Sequence, residues 1–411
     1  MRIHKPETVI INQDSGYLMI DIANGFVNKG VTCALIAGRL VVRDKPLDAR
    51  VGFAKIIRYD RRTALRRLFT WTLAFLQIWV LVVFRYRGSR LLIVSNPPVA
   101  PLLPLFCGNR FSLLIYDVWP DALSQFGVLS ARSWLVRLWR YGNRRVYRRA
   151  DRIYTITEGM KDALKPYAGH RAVEVVPVWT DNTSLSPIPR ADNPFISRHG
   201  LQDKFVVMYS GNLGFSHNVE VIVNLAAQVD DPDIVFLIIG DGDKRKLIQD
   251  RITALGLKNC KMLPFQPFKE LSFSLSAADI AIVTLGREAA RLGIPSKSYN
   301  LMSVGAPLLC IADPESDLSR LVADLNIGES FSADQLKEMG TFIHDLKRSP
   351  ERADALRKNA LAASLRFSPE NARRLLHSGR SQIAHRNHHA EGALRMQTNT
   401  PKDLKTRAEK G

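Results

Sequence analysis

The stretch "VVMYSGNLGFSHN", Val206 to Asn218, decides the reading of the fold. Apolar residues run up to Tyr209, as in a strand buried on both faces. Ser210, Gly211, Asn212, Leu213 and Gly214 then break the run, and "VEVIVNLAAQV" continues with helical periodicity. The pattern is strand, tight glycine turn, helix. In open parallel sheets such a turn lies at the carboxyl end of a strand, where ligands bind. Glycines let backbone amides approach a ligand closely, and a helix start favours an anion. Taken alone, "SGNLG" is equally compatible with a purely structural turn.

The same alternation extends in both directions. Downstream, "DIVFLIIGDG", "CKMLPF", "DIAIVTL" and "APLLCI" read as further strands separated by helical stretches. Upstream, "TVIINQ", "VTCALIAG", "RLLIVS", "FSLLIYD" and "DRIYTIT" do the same, and "LMIDIANGFVNKG" reads as a helix closed by Gly30. Repeated βαβ units predict parallel sheets covered by helices. The segment "VPVWTDNTSLSPIPRADNPF", residues 176–195, is rich in Pro, Asn, Asp and Ser and reads as an interdomain linker. The expected organisation is therefore two α/β domains, 1–185 and 186–368, a last helix over 369–385, and a disordered basic tail, 386–411.

The 411 residues suffice for two domains with cores of their own. Four scattered cysteines without CxxC spacing argue against a disulfide framework or zinc knuckle and suit a reducing compartment. The amino-terminal apolar run is too short for a signal peptide. Formal net charge is +19, and it is unevenly placed: residues 1–190 hold 29 Lys and Arg against 13 Asp and Glu, whereas residues 191–380 hold 23 of each. Such a concentrated basic field attracts anionic surfaces, nucleic acid or membrane. No nucleic-acid-binding module and no regular basic-aromatic interleaving is present, so the membrane is the expected partner. Leu68 to Phe84, "LFTWTLAFLQIWVLVVF", is 17 residues without a charge, preceded by "RRTALRR" and followed by "RYRGSR". Basic clusters at both ends suit a helix lying in the headgroup layer, with Arg61, Arg62, Arg66, Arg67, Trp71 and Trp79 as its contacts. A buried core helix and a short membrane span are the alternatives.

Four glycine- or proline-marked loops follow strands in the second half: Ser210–Gly214, Gly240–Gly242, Pro264–Phe265 and the stretch through Ser296–Lys297. Backbone amides with a lysine at a helix start describe a nucleoside-diphosphate pocket. A solvated surface lysine is the bland reading of Lys297, and a helix cap that of His217. The tail histidines His385, His388 and His389 read as part of a disordered segment, and no metal site is expected.

The motifs "YSGNLGFSHNVE", "IGDGD", "LPFQPFKEL", "AADIAIVTL" and "IPSKSYNLMSVGAPLL" resemble those of glycosyltransferase family 4. With "YDVWPDAL", "ADRIYTITEGMKDAL" and "VVPVWTD" in the first half, the likeness is to the branch that builds bacterial O-antigens, capsules and colanic-acid-like exopolysaccharides. It covers roughly residues 5–380. It implies the α/β GT-B architecture, two Rossmann-like parallel-sheet domains facing across a cleft. It further implies sugar transfer with retention, without metal or other cofactor, from a nucleotide-sugar donor held by the second domain.

Mapped through that resemblance, the donor would meet Ser210, Gly211, Asn212, Gly214, Gly240, Gly242, Phe265, Glu288, Ser296, Lys297 and Asn300. His217 would sit near the leaving phosphate. Asp117 falls where many relatives carry a histidine facing the donor sugar, and it would bind a sugar hydroxyl or help deprotonate the acceptor, or else cap the next segment. Asp14, Ser15 and Gly16 would line the acceptor side. Two family features are missing: Asn212 and His217 stand where relatives carry basic residues, and Leu292 and Asn300 stand where relatives carry a ribose-binding glutamate pair. The expected activity is transfer to a polyprenyl-diphosphate-linked saccharide by a peripheral protein at the cytoplasmic face of the inner membrane. A nucleotide-sugar epimerase on the same fold, and a non-catalytic membrane or nucleic-acid adaptor, are the competing readings.

Overall fold

A computed structural model describes residues 5–376, apart from 44, 126, 183, 215–217, 287–289 and 291–292. Two sheets form two domains. The first has seven strands in the order Gly52–Lys55, Cys33–Ala37, Thr8–Ile11, Arg90–Val94, Phe111–Ile115, Ile153–Thr155, Val173–Val175. The second has six, in the order Cys260–Leu263, Ile234–Ile239, Phe205–Ser210, Ile280–Thr284, Leu308–Ile311, Gly328–Phe331. All these pairings are parallel. Each sheet is built outward from its first strand in both directions, the doubly wound topology.

The central strands are apolar on both faces because helices cover both. Every residue of "IVFLII", Ile234–Ile239, is buried, and each sheet separates two apolar cores. Each sheet places its switch point beside its first strand: between Thr8–Ile11 and Arg90–Val94, and between Phe205–Ser210 and Ile280–Thr284. The two-residue strands Asp14–Ser15 and Arg39–Leu40 form a small parallel ladder just past the end of Thr8–Ile11.

The 176–195 connection is anchored along its length. Trp179 is buried, its Nε1 donates to Asp21 Oδ2 at 2.9 Å, and its carbonyl accepts from Tyr17 Oη at 2.8 Å. The return crossing lies beside it, since Thr180 N donates to Phe367 O at 3.0 Å. The expected last helix is, in its described part, a 3-10 helix over Pro369–Leu375. Ala372, Leu375 and Leu376 join the first domain's core against the helix Tyr17–Asn28, so the chain does cross back.

The domains touch at several points. Tyr116 and Ile156 of the first pack against the core of the second. Gly159 N donates to Asp317 Oδ1 at 3.1 Å. Arg43 lies 4.0 Å from the ring centroid of Tyr17 and 5.6 Å from that of Phe268 across the boundary.

Candidate functional site

The second domain's switch point brings together three of the four predicted loops, those of Ser210–Gly214, Gly240–Gly242 and Lys297, while Pro264–Phe265 follows the edge strand Cys260–Leu263. Ser210 ends its strand, and Gly211 to Gly214 follow. Lys297 opens the short helix Lys297–Ser303, directly after Ser296. The lysine side chain is part-exposed along its stem, but its Nζ is sealed from solvent and has no hydrogen-bond partner among the described residues. It lies 3.8 Å from the ring centroid of Tyr209. A Cβ built on Gly211 would meet it at 2.6 Å. Burial lowers its pKa to about 7. A buried amine without a counter-charge is costly, and an anion placed beside it removes that cost.

The glycines act differently from the expectation that they bare amides to a diphosphate. Gly211 N donates to Ile239 O at 2.9 Å, Gly240 N to Leu263 O at 3.0 Å, and Gly242 N to Asp241 Oδ1 at 2.8 Å. These amides are spent inside the protein. What the glycines allow is close packing of two loops. A Cβ on Gly240 would lie 1.9 Å from Gly211 O, and one on Gly242 would lie 2.8 Å from Asn212 Oδ1. Both residues also have φ values, +157° and +146°, that side chains rarely adopt. Leu213 N to Asp241 O, at 2.8 Å, and Lys244 N to Leu213 O, at 2.9 Å, tie the loops together. Gly240→Ala is therefore expected to cost about 2–4 kcal/mol, read as a fall in Tm. An unchanged Tm would show that the loops yield easily.

Other predicted donor residues fall at varied distances from this chemistry. Asn212 and Ser296 are exposed, Gly214 is buried, and Phe265 presents about half its surface, 53%. Asn300 is engaged elsewhere: its Oδ1 accepts from Thr180 Oγ1 at 2.6 Å, on the interdomain connection. His217 and Glu288, with Ser216, Arg287, Arg291 and Leu292, lie outside the described residues. Tyr209, whose ring carries Lys297 Nζ and whose Oη donates to Asn212 O at 2.8 Å, escaped sequence reading because it looks like one more apolar strand residue.

On the first domain, Asp117 follows the strand Phe111–Ile115, next to the boundary-packed Tyr116. Ser95 Oγ accepts from both backbone amides, Tyr116 at 2.9 Å and Asp117 at 3.1 Å. The Asp117 side chain is open to solvent, yet protein surrounds it on most sides, and this desolvation raises its carboxyl above the usual range.

The acceptor-side triplet is more structural than expected. Ser15 is buried, with its hydroxyl donating to Asn12 O at 2.8 Å, and Gly16 precedes the helix Tyr17–Asn28. Asp14 is ion-paired with Arg39 at 3.3 Å and Arg61 at 2.7 Å. Beside it opens a groove of about 850 Å³, walled by arginines and by Phe69.

The apolar segment is the helix Ala64–Val80, continuing through Arg85, long and apolar enough by composition to cross a membrane. Thr70, Ala74, Ile78 and Val82 form its buried stripe, one turn apart, while Leu65, Leu68, Phe69, Leu76, Val80 and Phe84 are exposed. The two tryptophans do not join the exposed set. Trp71 stacks on Tyr59 at 5.5 Å, and Trp79 Nε1 donates to Phe106 O at 3.1 Å. Arg62 and Arg66 pair with Asp60, at 2.7 and 3.4 Å, while Arg67 stays exposed.

A second exposed face was missed. The helix Trp134–Tyr147, "WLVRLWRYGNRRVY", has no acidic residue, and exposes Trp134, Leu135, Leu138 and Tyr141 among arginines. It packs on Ala100–Leu105, which also touches the Ala64–Val80 helix, so both helices share one side of the domain. An acid-free, aromatic, arginine-rich helix was the available signal.

Comparison with known proteins agrees with this geometry. Residues 193–362 match the family "Glycosyl transferases group 1". The chain is 31% identical over 252 residues, 59% of its length, to the "Probable glycosyltransferase WbjE" of Pseudomonas aeruginosa. It is 26% identical over 229 residues, 54% of its length, to the "Putative colanic acid biosynthesis glycosyl transferase WcaI" of Escherichia coli K12. The matched stretch spans only 62% and 56% of those relatives' own lengths. Among solved structures, HepE of Anabaena in complex with UDP superposes with a TM-score of 0.68 at 15% identity, covering 90% of this chain and 98% of that one. Residues 193–362 thus match the glycosyl transferases group 1 family, and the two domains together have the GT-B fold seen in solved glycosyltransferases.

Proposed function

We propose that this protein is a glycosyltransferase of bacterial surface-polysaccharide assembly. It takes a sugar from a nucleoside-diphosphate sugar, with retention of configuration, and passes it to a lipid-linked saccharide at the cytoplasmic face of the inner membrane. One observation carries the donor half: the buried Nζ of Lys297 at the second domain's switch point, without a hydrogen-bond partner among the described residues. A diphosphate seated there supplies the missing counter-charge. Asp117, next in the chain to the boundary-packed Tyr116 and with a carboxyl held above its usual range, binds a sugar hydroxyl or takes the acceptor's proton.

The membrane half rests on the exposed apolar faces of the two neighbouring helices. The Ala64–Val80 helix lies flat along the domain on its buried stripe, an attitude that suits the interface rather than a span. The two relatives described above, one named for colanic acid biosynthesis, support the polysaccharide setting. A soluble-sugar epimerase has no use for such a face.

A thermal-shift screen against UDP, GDP, dTDP and their common sugars, without added metal, tests the donor reading. One nucleotide is expected to raise Tm by several degrees at concentrations well above its Kd. No shift with any of them would favour a non-catalytic adaptor.

A further inference from the structure

We propose that the arginine groove beside Asp14 is a clamp for the diphosphate group of a membrane lipid, the part of the acceptor that lies between its isoprenoid chain and its saccharide. This rests on the transferase reading above and names the acceptor chemistry that reading needs.

Five arginines, Arg39, Arg58, Arg61, Arg62 and Arg66, line the groove with two carboxylates, Asp14 and Asp60. The surplus is three positive charges. Asp14 is shared by Arg39 and Arg61, and Asp60 by Arg62 and Arg66. Arg58 is exposed and has no ion pair or hydrogen bond with any described residue. Guanidinium forks match phosphate oxygens in pairs, and a doubly esterified diphosphate brings two negative charges. A flat anionic bilayer cannot enter a concave groove, but a headgroup standing out of it can.

The residues beside the arginines indicate the rest of the ligand. Among the lining residues Phe69, 63% exposed, continues into Leu65 and Leu68 on the apolar face proposed to meet the bilayer, which suits a hydrocarbon chain. Asp14, also in the lining, precedes Tyr17 by three residues, and Arg43 bridges the Tyr17 ring toward Phe268 of the second domain. A saccharide on the diphosphate would extend toward that cleft.

The test is co-sedimentation of the full chain with phosphatidylcholine vesicles. One set carries a few per cent undecaprenyl diphosphate, and the other carries phosphatidylglycerol at matched surface charge. The wild type is expected to bind the diphosphate vesicles at least tenfold more tightly. The double variant Arg39→Gln/Arg58→Gln is expected to lose that preference while keeping its phosphatidylglycerol binding and its Tm, and Arg58→Lys with native Arg39 is expected to keep part of the preference. Equal binding of both vesicle types by the wild type would overturn the clamp, leaving only general electrostatics. So would an undiminished preference in the double variant. A Tm shift with inorganic pyrophosphate but no vesicle preference would overturn the lipid assignment. No donor and no turnover enters this assay, so its failure leaves the Lys297 pocket intact, and a failed nucleotide screen leaves the groove intact.

Discussion

Lys297→Met is expected to abolish the rise in Tm produced by the cognate nucleoside diphosphate, while the free variant melts no lower than the wild type. The two effects have one cause. In the free protein the lysine Nζ is enclosed, faces the Tyr209 ring and lacks an acceptor among the described residues. Methionine fills nearly the same volume over the same ring and has no charge to desolvate. In the complex the ammonium would face phosphate oxygens in a site of low dielectric. Removing one partner of such a pair costs about 2–5 kcal/mol, or roughly 30- to 4,000-fold in affinity. The pH dependence is also fixed in sign. The free-state pKa is about 7 and a bound diphosphate raises it, so binding takes up a proton above pH 7. Affinity is expected to fall by up to about tenfold per pH unit from about 7 toward the pKa of the complex, and to lose this dependence in Lys297→Met. For folding the sign is opposite. The unfolded lysine, with its ordinary higher pKa, binds the proton more tightly, so this group makes the free protein more stable as pH rises above 7. Calorimetric titration at several pH values reads the first effect and thermal melts the second. A variant that keeps the full nucleotide shift would move the phosphate seat away from this lysine.

The parts of the fold legible in the sequence are those where local pattern and tertiary environment coincide. Central parallel strands such as Ile234–Ile239 are apolar throughout because both faces are covered, and the glycine turn after Ser210 interrupts them sharply. The edge strands Gly52–Lys55, Val173–Val175 and Gly328–Phe331 were missed, since an edge strand half-open to solvent carries no continuous apolar run. The glycine turns are legible along the chain, but the close loop packing that Gly240 and Gly242 allow is not, because it joins residues some thirty positions apart. The partners of Trp71 and Trp79 are equally illegible in the sequence: Tyr59 and Phe106, from outside the helix, meet their rings. The Trp134–Tyr147 helix fails in the opposite direction. Its arginines mask its hydrophobicity in any average, and only the exposure of Trp134, Leu135, Leu138 and Tyr141 on one side shows the face.

On the membrane-bound reading proposed above, the fourfold variant Leu68→Gln, Phe69→Gln, Trp134→Gln and Leu138→Gln is expected to remain folded and to leave the membrane. All four side chains are well exposed, at 61%, 63%, 65% and 59%, so none contributes much to the core, and Tm is expected to move by no more than a degree or two. Partial insertion of such side chains into the headgroup boundary is worth about 1 kcal/mol each, less than full burial. Together they supply about 4 kcal/mol, close to a thousandfold in partitioning. The arginines around them supply about 1 kcal/mol apiece against an anionic surface, and that share is screened by salt. The two contributions separate in one flotation experiment with anionic vesicles. Wild-type binding is expected to weaken but persist at high salt, held by the apolar residues. The variant is expected to retain weak binding at low salt and to lose it as salt is raised. Because the variant touches neither Lys297 nor Asp117, its nucleotide-induced rise in Tm should match the wild type, while transfer to the lipid-linked acceptor in vesicles should fall in step with binding. Undiminished flotation of the variant would mean that these two helices are not what meets the lipid. The exposed apolar face would then fit a protein partner instead.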